Sequence, residues 1–186
     1  MEPVVMIILI IVVIILLLWV IFGYNGLQKA RMKVEEAESG IDVALNKRFD
    51  VLTKMVETVK GYAKHESESL EKIVDMRNVI NISDTSIIEK QDISHQMDEV
   101  ARHIHVIAKQ YPDLMESENF KTLQITINDV EEHLQAARRV YNSNVSSYNQ
   151  KVQVFPSNVI AKLFKFTSRE FFETEDFKHQ DMEMRF

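Results

Sequence analysis

The 186-residue chain contains no cysteine, only four glycines and only three prolines. Without cysteine there are no disulfides, thiolate metal sites or cysteine nucleophiles, although this does not fix the compartment. So few glycines and prolines exclude collagen-like and turn-rich all-β classes. A net charge of −6 argues against nonspecific nucleic-acid binding, which needs clustered lysine and arginine. No nucleic-acid partner is therefore expected.

The chain begins with an apolar stretch, residues 4–22, that contains no charged or polar side chain apart from the indole of Trp19. As a helix it would measure about 28 Å, close to the thickness of a bilayer's hydrocarbon core. Trp19, Phe22 and Tyr24 lie at its end, where aromatic rings favour the lipid–water interface. A cleaved signal peptide is the alternative, but a basic n-region, a shorter apolar run and a small-residue cleavage site are missing. Residues 1–23 are therefore predicted to be a retained, single-pass membrane anchor.

The basic residues near this stretch predict its orientation. Lys29, Arg31 and Lys33 follow it, whereas no lysine or arginine precedes it. Positively charged flanks stay on the cytoplasmic side of a membrane. The N-terminus is therefore expected outside the cytoplasmic (inner) membrane, with the rest of the chain in the cytoplasm.

Residues 24–77 carry an apolar repeat of seven, typical of a helix that buries one face. The two sets of positions are Leu27, Val34, Ile41, Met55 and Tyr62, and Ala30, Ala37, Ala44, Val51 and Thr58. Such a helix must pack on others, which predicts an all-α fold in which the helices form an antiparallel four-helix bundle. A straight helix paired in an extended hairpin is the alternative, and it would have to oligomerise.

The second half of the chain predicts the remaining helices. Residues 78–91 are expected to be a loop, residues 92–111 a helix, and Pro112 its stop signal. Ser117 is a candidate N-cap for a long helix that reaches Phe155, followed by a short helix over residues 159–164. The bundle domain is predicted to span residues 24–166, with a partly ordered tail over residues 167–186.

Several motifs along the chain resemble those of the LemA family. They are Tyr24-Asn25, Val34-Glu35-Glu36-Ala37, Val56-Glu57-Thr58-Val59-Lys60-Gly61-Tyr62-Ala63, Tyr111-Pro112-Asp113-Leu114, Glu118-Asn119-Phe120, Ala137-Arg138-Arg139, Phe155-Pro156 and Phe171-Phe172-Glu173. The resemblance implies a bacterial inner-membrane protein with one N-terminal span, a helical bundle and no assigned catalytic residues. Some relatives are associated with forming intracellular membrane compartments. Lys54 departs from the family's usual proline, and Glu38 from its frequent tryptophan. The family's proline implies a helix start near Asp50, a candidate N-cap, and therefore a bend in the chain at residues 46–50.

The histidines and carboxylates do not form a recognisable catalytic or metal-binding motif. His65-Glu66 begins like a zinc-protease helix, but Ser69 stands where the second histidine must be. His103 and His105 point about 200° apart on a helix. The Glu-x-x-His pattern of di-iron bundles is also absent. No enzyme activity, metal or cofactor is expected, and a metal-dependent hydrolase is the least favoured alternative.

Four polar residues fall on or beside the apolar faces of the predicted helices. These are Arg48, Asn142, Asn144 and Asn149. Buried polar groups that pair with one another fix helix register. A polar interior pocket that binds a ligand is the alternative, and it would make the protein a sensor.

Phenylalanines alternate with basic residues near the C-terminus, in a pattern that suits either packing or a membrane surface. The candidate interface residues here are Lys162, Lys165, Arg169, Phe171 and Phe172. Because the long helix ending at Phe155 runs back toward the anchor, residues 156–172 are expected near Tyr24 and Asn25.

The sequence therefore predicts a membrane-anchored, noncatalytic scaffold that presents a helical surface to protein partners or to the membrane. A ligand-sensing bundle is the second hypothesis. Self-association remains open, and the sequence does not name a partner.

Overall fold

A computed structural model describes residues 3–62, 82 and 85–172. The helices in these residues are α1 (Pro3–Tyr62), α2 (Ile87–Ala108), α3 (Pro112–Glu116), α4 (Glu118–Gln153) and α5 (Ser157–Leu163). No strand occurs in the described part of the chain, and the predicted all-α helical bundle is confirmed.

Helix α1 is continuous, so the predicted bend at residues 46–50 is wrong. These residues contain neither proline nor glycine, and the side chain of Asn46 donates to the carbonyl oxygen of Asp42 at 2.9 Å within the helix. The buried face also continues without interruption through Ile41, Arg48 and Met55. A helix with a continuous buried face and no proline or glycine over residues 46–50 has no cause for a kink there.

The chain divides into two compact units. The first unit contains the described residues of Met1–Ala37 and Asn142–Glu170, and the second contains those of Glu38–Tyr141 and Phe171–Phe186. Helices α1 and α4 contribute to both units.

In the second unit, ion pairs and hydrogen bonds give the helix directions. Lys90 at the start of α2 pairs with Glu38, and Arg48, further along α1, pairs with Asp98 further along α2. Helices α1 and α2 therefore run in the same direction. Helix α4 contacts both of these helices. Its Arg138 donates a hydrogen bond to the Ser94 hydroxyl in α2, and its Glu131 forms an ion pair with Arg48 in α1. Helix α4 supplies the third side of this bundle.

Helix α2 begins at Ile87, five residues before its predicted start. Ser86 accepts a hydrogen bond from the Glu89 backbone N–H at 3.3 Å, and the Glu89 carboxylate accepts one from the Ser86 N–H at 2.7 Å. This reciprocal capping box satisfies two backbone donors that would otherwise be unpaired. The predicted loop is shorter by residues 87–91, while residues 78–81, 83 and 84 lie outside the described part.

The ends of α4 follow the predicted signals. The Ser117 hydroxyl accepts from the Phe120 N–H at 3.3 Å, so the predicted N-cap of α4 is confirmed. Pro112 opens the short helix α3. Helix α4 ends at Gln153, before the cis Phe155–Pro156 peptide bond, and Phe155 is 76% exposed. The predicted end of this helix at Phe155 is therefore two residues too late.

The first unit has its own small core. Leu27 of α1 packs with Ile160 and Ala161 of α5, with Val152 and Phe166 at the edge of this cluster. Residues 167–172 are not helical, and specific contacts hold several of them. Residues 173–186 of the predicted tail lie outside the described part of the chain.

Candidate membrane interface and buried charges

The apolar start of α1 is uncovered. From residue 4 to residue 22 every side chain is exposed except Val20, which is half-buried. In the described residues, α1 is the helix long and apolar enough to cross a membrane, a criterion that a signal sequence would also meet. Soluble monomers rarely expose an apolar surface of this extent. This segment therefore needs an apolar environment.

The aromatic residues at the end of this segment meet the returning C-terminal part of the chain. The ring of Tyr24 lies edge-on to that of Phe164, with centroids 4.9 Å apart, and 5.7 Å from that of Phe166. The predicted return of the chain to Tyr24 is therefore confirmed for residues 164–166. Trp19 and Phe22 are exposed, as an interface position requires.

Gly23 permits a close approach of α5 to α1. A Cβ atom at this position would lie 2.1 Å from Cδ1 of Ile160, well inside van der Waals contact. Ile160 is itself fully buried. Helix α5 is thus seated directly on the backbone at the C-terminal end of the apolar segment.

The other candidate interface residues divide into two groups. Lys162 and Lys165 are exposed in the first unit. The guanidinium of Arg169 pairs with Glu35 at 3.4 Å. Phe171 is exposed in the second unit. Phe172 is buried there under the guanidinium of Arg138, 4.7 Å from the ring centroid, so its predicted interface role is wrong.

The four residues of the predicted polar patch are divided between the two compact units. Arg48 belongs to the second unit, whereas Asn142, Asn144 and Asn149 belong to the first. Asn144 donates to the Lys33 carbonyl oxygen at 3.1 Å. Asn149 bonds both the N–H and the carbonyl oxygen of Arg169 at 2.8 Å, and Asn142 is buried. These contacts agree with the structural interpretation, in which polar side chains fix the position of neighbouring segments.

Arg48 is at the centre of a buried polar cluster in the second unit. It donates to the Ser94 hydroxyl at 3.2 Å and pairs with Glu131 at 2.9 Å and with Asp98. Arg138 donates to the same hydroxyl. Burial lowers the pKa of the Arg138 guanidinium, the nearby charge of Glu131 opposes that shift, and repulsion from Arg48 adds to it. Two arginines and two carboxylates on three helices thus balance in charge.

Lys90 forms a second buried cluster that sequence reasoning missed. It is 1% exposed, and its ammonium lies 2.7 Å from Asp42 and 2.8 Å from Glu38. Burial would lower the pKa of Lys90, but hydrogen bonds and charges from Asp42 and Glu38 outweigh it and raise this pKa above its ordinary value. The spacing of residues along α2 could have revealed this cluster, because Lys90 lies on the same face of the helix as Ile87, Ser94 and Met97.

These arrangements offer no obvious reaction chemistry. Among the described residues, no group of three histidine or acidic side chains could hold a metal ion. The buried cations are neutralised by carboxylates on other helices, which is a structural use of charge. Two cavities in the described part of the chain are lined by residues other than those of the predicted patch.

Both cavities are open grooves in the second unit. One, of about 650 Å³, is lined by Met55, Ala101, Arg102, His105, Val106, Phe120, Gln124, Ile127 and Asn128. The other, of about 830 Å³, lies along α4 and is lined mostly by residues of polar or charged type: Asn128, Glu131, Glu132, His133, Gln135, Ala136 and Arg139.

The fold is thus that of an all-α protein with one long, apolar N-terminal helix segment. A model of the LemA family matches residues 37–186, and the chain belongs to this family. It is also similar to Protein LemA of Metamycoplasma hominis, with 26% identity over 159 residues that cover 86% of this chain and 73% of that protein. Family membership establishes no activity.

Proposed function

We propose that this protein is a membrane-anchored, noncatalytic scaffold whose helical bundle binds protein partners at the cytoplasmic membrane of a bacterium. The observation that carries the proposal is the apolar segment at residues 4–22, which is exposed almost all round the helix. A transmembrane helix needs about 20 such residues, and lipid is the environment that would cover them. Since α1 continues unbroken to Tyr62, the anchor and the bundle share one helix.

The buried charges support a noncatalytic role. Arg48 and Lys90 are almost fully buried and are paired with carboxylates on facing helices. Removing one member of such a pair is costly, so these groups hold the helices together and are not free to react. The helical surface that remains outside the core is what a scaffold would offer to partners.

The charge distribution supports the orientation. Lys29, Arg31 and Lys33 follow the apolar segment, and the first charged residue on its other side is Glu2. The positive-inside rule places the bundle in the cytoplasm and the N-terminus outside.

Fractionation of cells producing the full chain tests the anchor. The protein should stay in the membrane after washing with alkaline carbonate, and its intact mass should equal that of the uncleaved chain, 21.7 kDa. A variant lacking residues 2–23 should be released with its helical content otherwise retained. A shorter mature protein would identify a cleaved signal sequence and contradict the proposal.

Single cysteines test orientation in this cysteine-free chain. Pro3→Cys should react with a membrane-impermeant maleimide added to spheroplasts, whereas a cysteine at the exposed position Lys54 (Lys54→Cys) should react only after permeabilisation. The reverse pattern would place the bundle outside.

Crosslinking in native membranes tests the scaffold role. A photoreactive residue at an exposed bundle position, such as Val43 or Ile125, should capture a reproducible protein partner. A stoichiometric bound transition metal in the purified protein, or turnover of a substrate, would instead favour the hydrolase alternative.

A further inference from the structure

We propose that residues 154–165, which comprise the turn before α5, α5 itself and the two residues after it, form a second membrane contact that inserts into the headgroup region of an anionic leaflet. The proposal rests on the proposed membrane anchoring and adds a specific surface and a lipid class to it. Below, these residues are called the α5 surface.

The α5 surface is apolar on its outer side. Helix α5 is two-faced, because Ile160 and Ala161 are buried while Val159 and Leu163, four residues apart on one face, are exposed. Leu163 is 67% exposed and Phe155 is 76% exposed. Val154 and Phe164 extend the same exposed apolar surface. So many large apolar side chains on a short segment indicate a surface that is covered in the functional protein.

The position of the α5 surface indicates what covers it. Its inner face contacts α1 at Gly23, the residue that follows the apolar segment, and Phe164 packs on Tyr24. If residues 4–22 cross the bilayer, these contacts hold α5 at the level where the helix leaves the hydrocarbon. Exposed apolar groups at that depth meet the boundary between headgroups and acyl chains.

The charge of the surrounding chain indicates the lipid class. No aspartate or glutamate occurs between Glu132 and Glu170, although the whole chain has a net charge of −6. The first unit carries seven basic and four acidic residues, a net charge of +3 within this acidic protein. Lys162 and Lys165 flank the exposed Leu163, and neither has an ion pair among the described residues. A basic and apolar surface is suited to an anionic leaflet.

Other residues of this region do not belong to the α5 surface. The Arg169 side chain pairs with Glu35, and its backbone is held by Asn149. Phe172 is buried. The membrane contact therefore ends before the chain continues to Arg169.

Fluorescence quenching of the full-length protein in vesicles tests this surface. A bimane label is attached to Leu163→Cys, and the protein is reconstituted into vesicles of phosphatidylglycerol and phosphatidylcholine with or without brominated acyl chains. We expect the bromine atoms to quench this label. The matched control is Ser146→Cys, an exposed position on α4 in the same unit, which should not be quenched. It lies seven residues before the end of α4 at Gln153, about 10 Å along the helix.

Charge variants test the lipid class. The double variant Lys162→Gln, Lys165→Gln should bind the membrane surface more weakly. The ratio of protein with its label in the bilayer to protein with its label in water should fall by up to about 30-fold, the change expected for removing two lysine charges from an anionic surface. The same loss is expected for the wild-type chain in pure phosphatidylcholine. Lys162→Arg with Lys165→Arg keeps the charge and should restore quenching. Because both lysines are exposed, circular dichroism should show unchanged folding in each variant.

The outcomes separate the two proposals. If the wild-type protein fails to float with vesicles, the anchor is absent and the α5 surface proposal falls with it. If the protein floats but the Leu163 label is not quenched, only the α5 surface proposal is wrong, and a protein partner or a second copy covers the surface. If quenching is the same in anionic and in pure phosphatidylcholine vesicles, and is unchanged by the two lysine-to-glutamine substitutions, the assignment to anionic lipid is wrong.

Discussion

Replacing Lys90 by methionine is the most direct test of how charge is used inside the bundle. Methionine keeps most of the unbranched stem, so little cavity is created. The change removes an ammonium that is 1% exposed and lies within 2.8 Å of both Asp42 and Glu38. Two neighbouring carboxylates would then remain without a cation.

The size of the effect follows from the burial of those carboxylates. Removing one partner of a fully buried ion pair costs about 3–5 kcal/mol. Side chains of Asp42 and Glu38 are 15% and 24% exposed, so water can solvate part of the charge that is left. The lower end of the range, about 3 kcal/mol of unfolding free energy, is therefore expected for Lys90→Met.

Urea unfolding of the full chain in detergent micelles, followed by circular dichroism, measures this loss. In a Glu38→Gln, Asp42→Asn background the same Lys90→Met change should cost less than about 1 kcal/mol, because no carboxylate is left unpaired. Lys54→Met, at an exposed lysine on α1, is the control and should change stability by less than about 0.5 kcal/mol. Equal costs of Lys90→Met in both backgrounds would refute the reasoning.

Three other predictions follow from burial and local contacts. The stability difference between wild type and Lys90→Met should be constant near neutral pH and shrink as the pH rises above 10.5, because the folded pKa of Lys90 is raised and the unfolded chain loses its proton first; unfolding free energies at several pH values check this. Leu134→Asp should cost about 4 kcal/mol or more because it buries an unpaired charge, whereas Glu132→Ala should be nearly neutral; full solubility and helicity of Leu134→Asp would contradict this. Gly40→Ala should stabilise α1 by about 1 kcal/mol, since an added Cβ meets nothing within 4 Å. Gly23→Ala must displace Ile160 and should therefore show no such stabilisation; the thermal unfolding midpoints of the two variants, each compared with wild type, check both expectations.

The helices were predictable because their apolar side chains repeat in steps of three and four. The buried positions Leu27, Val34 and Ile41 of α1 were all predicted. Periodicity is a local property that needs no knowledge of the partner helix. The bend in α1 was wrongly predicted because it came from the family's usual proline, which this chain replaces with Lys54.

The pairing of the helices was harder to predict. Lys90 and Ser94 interrupt the apolar face of α2, and a lysine at such a position is ordinarily read as solvent-exposed. Their partners, Asp42 and Arg48, lie more than forty residues earlier in the chain. A sequence shows which side chains are unusual on an apolar face, but not which distant charge neutralises each one.

Charge also explains how these helices are aligned. An apolar seam that repeats every seven residues could slide by one turn, about 5.4 Å, and still bury similar side chains. Such a slide would carry Lys90 away from Asp42 and Glu38, which are now within 2.8 Å, and would carry Arg48 away from Ser94. Each displaced cation would be left buried without its partners, at a cost that an apolar contact does not impose. The two clusters are thus in the places where they select one register of α1 against α2, which a repeating apolar face leaves undetermined.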